Sequence, residues 1–259
     1  MRAKHRRAIK MAISLKFAGV TLDGVEEWGD ELKNRVDPET FPRRDGSIIQ
    51  EVAFKDPIRL RLPYHVSKAD EATLKTYLNS LGALMESGRD KLYLRDDSRY
   101  LNAIITGLSR SHRAGDAAAL TARGVIEFLV DDPYFYSDTE TASAEQDPAA
   151  SPHTFQITNS GKARTPVRIE IKADAAAATD VKLTNTTTSL FARFSGTITA
   201  NQILVIDSKK RSIQNGGANG LNSFTGSFWE LEQGVNNLEY IGPVAVLVTV
   251  YHTERWILN

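Results

Sequence analysis

Asp131-Asp132-Pro133-Tyr134-Phe135-Tyr136 opens the part of the sequence that decides the fold. It is followed by Asn159-Ser160-Gly161, by Pro166 heading an alternating run, and by Asn185-Thr186-Thr187-Thr188. Then come Ile203-Leu204-Val205-Ile206-Asp207, a loop rich in glycine and asparagine over 215–222, and Leu231-Glu232-Gln233-Gly234-Val235-Asn236. Each segment marks where a strand begins, turns or ends, and none has the spacing of a catalytic motif. The pattern describes a compact β-domain whose loops carry little chemistry.

Local patterning agrees. Val167, Ile169 and Ile171 alternate with Arg168, Glu170 and Lys172, the period of a strand with one buried and one wet face. Pro166 sits at the first residue of that run, where a missing N–H does no harm. Val244-Ala245-Val246-Leu247-Val248-Thr249-Val250-Tyr251 is apolar on both faces and predicts a central strand. From 155 to 259 turn signals recur with no convincing helix, which predicts an antiparallel sandwich or jelly roll.

The first half reads differently. Ile13, Leu15 and Phe17 alternate with polar or small residues before Gly19 turns the chain, and Ile58, Leu60 and Leu62 repeat the pattern. A long polar loop over 26–45 ends in Phe41-Pro42-Arg43-Arg44-Asp45-Gly46, a tight turn leading into a strand at Ser47-Ile48-Ile49. Leu74, Tyr77, Leu78, Leu81 and Met85 share one helical face, with Ser67 as the expected N-cap and Gly88 as the stop. Strands are expected again at 91–95, 100–110 and 117–130. Residues 138–152, rich in Ala, Ser, Thr, Glu and Pro, offer little to bury and read as a linker. The fold class is therefore mainly β: an α+β N-terminal domain over 13–138 with one packed helix, a linker over 139–153, and a β-sandwich over 154–259.

Composition narrows the function. At 259 residues the chain has room for one or two cores. Lys plus Arg and Asp plus Glu are 32 each, which points away from a polyanionic ligand. With no cysteine, disulfides and thiolate metal sites are excluded. No apolar stretch approaches the ~20 residues that cross a bilayer. The basic start, Arg2, Lys4, His5, Arg6, Arg7 and Lys10, reads either as a nucleic-acid-binding arm or as a disordered extension over 1–12. Met11 is then an alternative start to Met1, and the balanced charge favours the extension.

Catalytic readings fail residue by residue. His5, His65, His112, His153 and His252 are scattered without paired-ligand spacing, and no G-x-S-x-G elbow occurs. Gly19 to Gly24 has phosphate-loop spacing but runs into Val25-Glu26 instead of Lys-Ser/Thr. Asp96-Asp97 and Asp131-Asp132 are weighed as metal or acid–base pairs, but they stand at strand ends, where aspartate is a turn residue. Trp229, Tyr240, Tyr251 and Trp256 are weighed as a sugar-stacking platform against ordinary core packing, and their apolar neighbours favour packing. The expectation is a protein without enzymatic activity, cofactor or metal, and no residue is singled out as a binding site.

The order of these signals resembles the distal tail proteins of long-tailed bacteriophages (siphophages). The resemblance is carried by Leu15-Lys16-Phe17-Ala18-Gly19-Val20, by Arg44-Asp45-Gly46, by a helix at 68–86 and by Phe128 through Tyr136. In the second domain it is carried by Asn159, Gly161 and Pro166, by Asn185-Thr186-Thr187, Asp207 and Asn215-Gly216-Gly217, and by Leu231, Gly234 and Asn236. It implies a galectin-like second domain and a structural role at the tail tip in the virion. It also implies a hexameric ring, single or stacked, that serves as a baseplate hub. Its partners would be the tail tube protein, the tail-tip or central-fibre protein and receptor-binding proteins. No specific nucleic acid is expected. The alternatives are a carbohydrate-binding module for host-surface adsorption, or another tube or baseplate subunit.

Overall fold

The computed structural model describes residues 15–25, 57–94, 98–112, 120–130, 132 and 134–257. The basic start, the loop over 26–45 with its Asp45-Gly46 turn, Asp96-Asp97 and Asp131 lie outside the described residues. The chain divides into two compact units, the second spanning Tyr134–Ile257.

The first unit is one antiparallel sheet with a helix packed on it. Its strands are β1 (Leu15–Phe17), β2 (Val20–Leu22), β3 (Ile58–Lys68), β4 (Arg89–Tyr93), β5 (Arg99–His112) and β6 (Leu120–Val130), in the order β2-β1-β4-β5-β6-β3. Just after β2, Val25 bridges Tyr64 on β3, and the His65 N–H donates to the Gly24 carbonyl at 2.8 Å. The two ends of the strand order therefore touch, as in a barrel closing on itself. Gly24 permits this contact, because it holds φ +71° and a Cβ there would lie 2.0 Å from the His65 carbonyl oxygen. Phe17 and Phe128 meet edge to face at 5.2 Å among Leu15, Leu22, Leu62, Leu101 and Ile126, all buried.

The helix, α1 (Glu71–Ala83), buries Leu74, Leu78 and Leu81 and packs on β3 and β6. Two expectations need correction. Ser67 does not cap it: β3 runs on through Lys68, with Ser67 opposite Thr121, and Asp70 is the N-cap. The Asp70 carboxylate accepts from the Thr73 N–H at 2.7 Å, and this bond holds its pKa below the usual range. Met85 stays exposed because the helix tightens into a 3₁₀ turn over Leu84–Glu86. A step of three residues instead of four brings Leu84 inward from Leu81. Tyr77 lies at the helix margin, its hydroxyl donating to the Asp23 carbonyl at 3.1 Å, and burial pushes its pKa up to about 12.

The second unit contains β7 (Tyr134–Ser137), β8 (Thr141–Ala142), β9 (His153–Asn159), β10 (Thr165–Ala173), β11 (Ala178–Asn185) and β12 (Leu190–Ile198). It continues with β13 (Ile203–Asp207), β14 (Ser212–Asn215), β15 (Ala218–Asn219), β16 (Phe224–Gly226) and β17 (Glu230–Leu231). It ends in β18 (Gly234–Ile241), β19 (Val246–His252) and β20 (Arg255–Ile257). One sheet runs β15-β14-β13-β10-β19-β8, with β17 pairing the start of β10, and the other runs β16-β12-β11-β18-β9. All the pairings are antiparallel. Inward residues of both sheets form one core, among them Val167, Ile169, Ile171, Leu204 and Val248 from the first and Val181, Leu183, Phe194, Leu238 and Tyr240 from the second. The mainly β reading holds.

The expected linker does not. Thr141–Ala142 pairs with β19, the Ser143 N–H donates to the Val250 carbonyl at 2.8 Å, and Gln146 and Val248 exchange two backbone bonds at 2.9 Å. Residues 141–146 thus form the edge of the first sheet. Small polar side chains hide such a strand from a hydrophobicity reading, because its tie to the fold is through backbone hydrogen bonds and the Ser143 hydroxyl, which accepts from the Val250 N–H at 3.0 Å. The sandwich unit accordingly begins at Tyr134, where β7 pairs with β20, and not at residue 154.

Candidate functional site

The loops of the second unit are fastened by three asparagines, Asn159, Asn185 and Asn236, each fully buried. A buried amide side chain left unbonded is costly, so its position is set by the partners it finds. Asn159 donates to the carbonyls of Ala163 (2.9 Å) and Glu232 (3.3 Å), and its oxygen accepts from the Gly161 N–H at 3.0 Å. Gly161 must be small, because a Cβ there would fall 2.6 Å from the Arg255 carbonyl oxygen. Asn236 accepts from the Glu232 N–H at 2.9 Å and donates to the Glu232 and Gly234 carbonyls at 2.9 and 3.1 Å. Asn185 donates to the Asn236 oxygen at 3.2 Å and accepts from the Thr187 N–H at 3.1 Å. Asp207 plays the same part for a fourth loop, accepting from the Lys210 N–H at 2.9 Å.

These four fastened loops line one open groove of about 750 Å³. Arg164 and Pro166 come from the segment after Asn159, Thr187, Thr188 and Leu190 from the segment after Asn185, and Ser208 and Arg211 from the turn after Asp207. Phe228, Trp229, Glu230 and Glu232 complete it from the chain around β17. Arg164 pairs with Glu232 at 2.9 Å, and Arg255 pairs with Glu230 at 3.0 Å. Phe228 is braced by stacking on Phe224, with ring centroids 4.9 Å apart and an interplanar angle of 22°. The groove offers fixed donors and acceptors beside a small apolar wall, which suits recognition more than bond making.

The aromatic platform weighed from sequence is not assembled. Trp229 and Tyr240 are core residues at 1% and 0% exposure. Tyr251 carries the Arg168 guanidinium 3.9 Å over its ring, and Trp256 stands opposite Phe135 in the β7–β20 pair. The histidines also remain apart: His65 is on β3, His153 on β9 and His252 on β19. His252 is buried with neither ring nitrogen hydrogen-bonded among the described residues, and burial pushes its pKa below the ordinary value of 6.5. Among the described residues no group of three or more His, Asp or Glu could hold a metal ion, and no helix is long and apolar enough to cross a membrane.

Sequence reasoning found the fasteners but missed the groove they hold open. Asn159, Asn185, Asp207 and Asn236 stand in recognisable turn patterns, whereas Arg164, Arg211, Phe228 and Glu230 are separated by up to 66 positions and share no spacing. The one signal available was adjacency, since each lining segment lies within a few residues of a fastener.

Comparison with known proteins agrees with this unit most directly. Residues 160–256 match the family model of the siphovirus-type tail component, C-terminal domain. The stretch begins beside Asn159 and ends within β20, so the match lies inside the second unit. No curated protein matches the chain. Among solved structures, the chain is similar to the SPP1 Dit (gp 19.1) protein, described as a paradigm of the hub adsorption apparatus in phages infecting Gram-positive bacteria. The TM-score is 0.57 at 15% identity, with 76% of this chain and 78% of that chain covered. That likeness shows a shared fold over most of the chain. The phage p2 baseplate in its activated conformation, with Ca and with Sr, matches at TM-scores of 0.39 and 0.41, 8% and 9% identity, and coverage of 75% of this chain and 79% of those chains.

Proposed function

We propose that this chain is the distal hub of a long-tailed phage tail, a non-catalytic ring subunit joining the tail tube to the tail-tip apparatus. The observation that carries the reading is the pairing of a sandwich that matches the tail-component model with a separate sheet unit in one chain that shares the SPP1 Dit fold. A tube subunit needs only the first kind of unit, so the second favours the hub.

The physics of the first unit suits self-assembly. Its strand order ends in β3, a strand of eleven residues, and among the described residues only Gly24 and Val25 pair with its outer edge through the backbone. Because the His65 N–H points away from β6, alternation places position 63 on the same outer side, and Pro63 has no N–H to offer there. A proline at that point discourages indiscriminate strand addition while leaving the flanking residues able to meet a chosen neighbour. A closed ring needs one surface to meet a different surface of the next copy. Six copies would place the hub in the virion, assembled in the host cytoplasm, with the tube protein on one face and the tip or central-fibre protein on the other. Receptor-binding proteins would attach through the second unit.

Light scattering of the full-length protein, with negative-stain imaging of the peak, tests the ring. Particles of six chains of 28.6 kDa, or of twelve as stacked pairs, are expected. Any other closed number contradicts the reading.

A further inference from the structure

The groove lining holds two arginines and two glutamates, but ion pairing, with Arg255 reaching Glu230 from outside the lining, leaves one of those arginines over. Glu232 is matched by Arg164 and Glu230 by Arg255, whereas Arg211 forms no ion pair among the described residues. Arg211 is also an unusual residue for its place in the backbone. It is exposed and holds φ +51°, a left-handed conformation that Gly or Asn adopts more easily. The turn that carries it is pinned by Asp207, so the guanidinium is presented on a fixed base. Lys209 and Lys210 precede it, and among the described residues only Lys210 is close to an acid, Asp207 at 3.6 Å. The turn therefore brings an uncompensated positive charge to the groove mouth.

The rest of the lining selects the kind of molecule that would bring the anion. The Arg164–Glu232 pair presents donors and acceptors together, Glu230 adds a further acceptor, and Thr187, Thr188 and Ser208 add hydroxyls that can do either. Such a lining matches a ligand whose own groups both donate and accept, as sugar hydroxyls do. Phe228 and Leu190, 41% exposed, supply an apolar wall for the C–H face of a sugar ring. The volume of about 750 Å³ lies within the ~300–1,000 Å³ of small-ligand sites. A folded protein partner would ask for an apolar, charge-poor centre spread over roughly 800 Å² on each side, which this recess lacks.

We propose that the groove binds a saccharide carrying an acidic group, with Arg211 receiving the anion, the Arg164–Glu232 pair engaging ring hydroxyls, and Phe228 and Leu190 packing on the ring. A carboxylate and a phosphate meet the same guanidinium chemistry, and the choice of probe separates them. The site is independent of ring formation and would act in a monomer as well as in a hub.

Isothermal titration of the full-length protein tests it with oligogalacturonate, a hexose phosphate and a neutral galactose oligomer of matched length. Binding of at least one acidic probe is expected, lost with added salt and weakened about tenfold or more by Arg211→Gln. Lys172→Gln, on β10 and outside the groove, should leave affinity unchanged. Because Arg211 is exposed, the variant should also keep the parent's melting midpoint, which separates lost binding from lost folding. Three results overturn the proposal: no binding of either acidic probe, equal binding of the neutral oligomer, or full affinity in Arg211→Gln. If Arg211→Gln instead abolishes capture of a purified tail protein while no saccharide binds, the groove is a protein-docking site and the saccharide assignment fails.

Discussion

The two units leave their sheet edges in different states. In the sandwich three of the four sheet ends are very short strands, β15 and β8 at two residues each and β16 at three. Only β9, at seven residues, is long. In the first unit the sheet ends in eleven-residue β3, closed against the other end of the strand order by one bridge. Short ends blunt edge pairing, whereas a long one is a template for it. The sandwich is thus finished within itself and puts its variety into loops. The first unit is the part whose backbone has more to gain from a neighbour.

If the units are separate cores, a cavity in one should spare the other. Trp229→Ala removes the largest side chain of the sandwich core, and Phe128→Ala removes half of the edge-to-face pair in the first unit. Each should destabilise its own unit by about 3–5 kcal/mol. Followed by denaturant titration with a probe in each unit, each variant should move one transition and leave the other. A common shift in both would erase the distinction.

The fasteners come next in size. Asn236→Leu strands the Glu232 N–H and takes the acceptor from Asn185, for a loss of about 3 kcal/mol in the sandwich. The same variant should loosen the groove, seen as faster hydrogen exchange at Glu232 and Thr187. Unchanged exchange would mean that the loops hold their shape without the asparagine.

In the first unit, Gly24→Ala tests the closure. It forces a side chain into positive φ and against the His65 carbonyl, costing about 1–3 kcal/mol and exposing the His65 amide to exchange. Retained protection of that amide would show that the bridge does not hold the strand ends together.

The smallest effect is titration of His252. Its folded pKa is depressed by burial, so the unfolded chain binds the proton more readily. The stability of the sandwich should be full above pH 6.5, the ordinary value, and decline as the pH falls below it towards the folded pKa. The midpoint of the sandwich transition, read from pH 8 to pH 5, should show this decline and lose part of it in His252→Leu. An identical decline in the variant would assign it to other groups.

What the sequence made legible follows the same division. Strands with one buried face, such as β10 and β3, announce themselves through alternation, because burial acts on side chains. The turn asparagines were legible because few residues can bond a backbone two positions on. β8 was not, since Thr141 and Ala142 are exposed and bind by backbone alone. Neither was the shift from Met85 to Leu84, which depends on a local change of helical pitch. The groove was least legible of all. Arg164, Arg211 and Phe228 become neighbours only once four loops are folded, and pairwise spacing carries no trace of that.

Electron cryo-microscopy of the assembled tail tests the central claim most directly, because it shows both the copy number and which unit makes the contacts. One ring of six at the tail tip, or two stacked, is expected, with neighbouring copies joined through the first unit and the sandwiches free of the ring seam. Copies stacked along the tube, or a ring joined only through the sandwiches, would contradict the account.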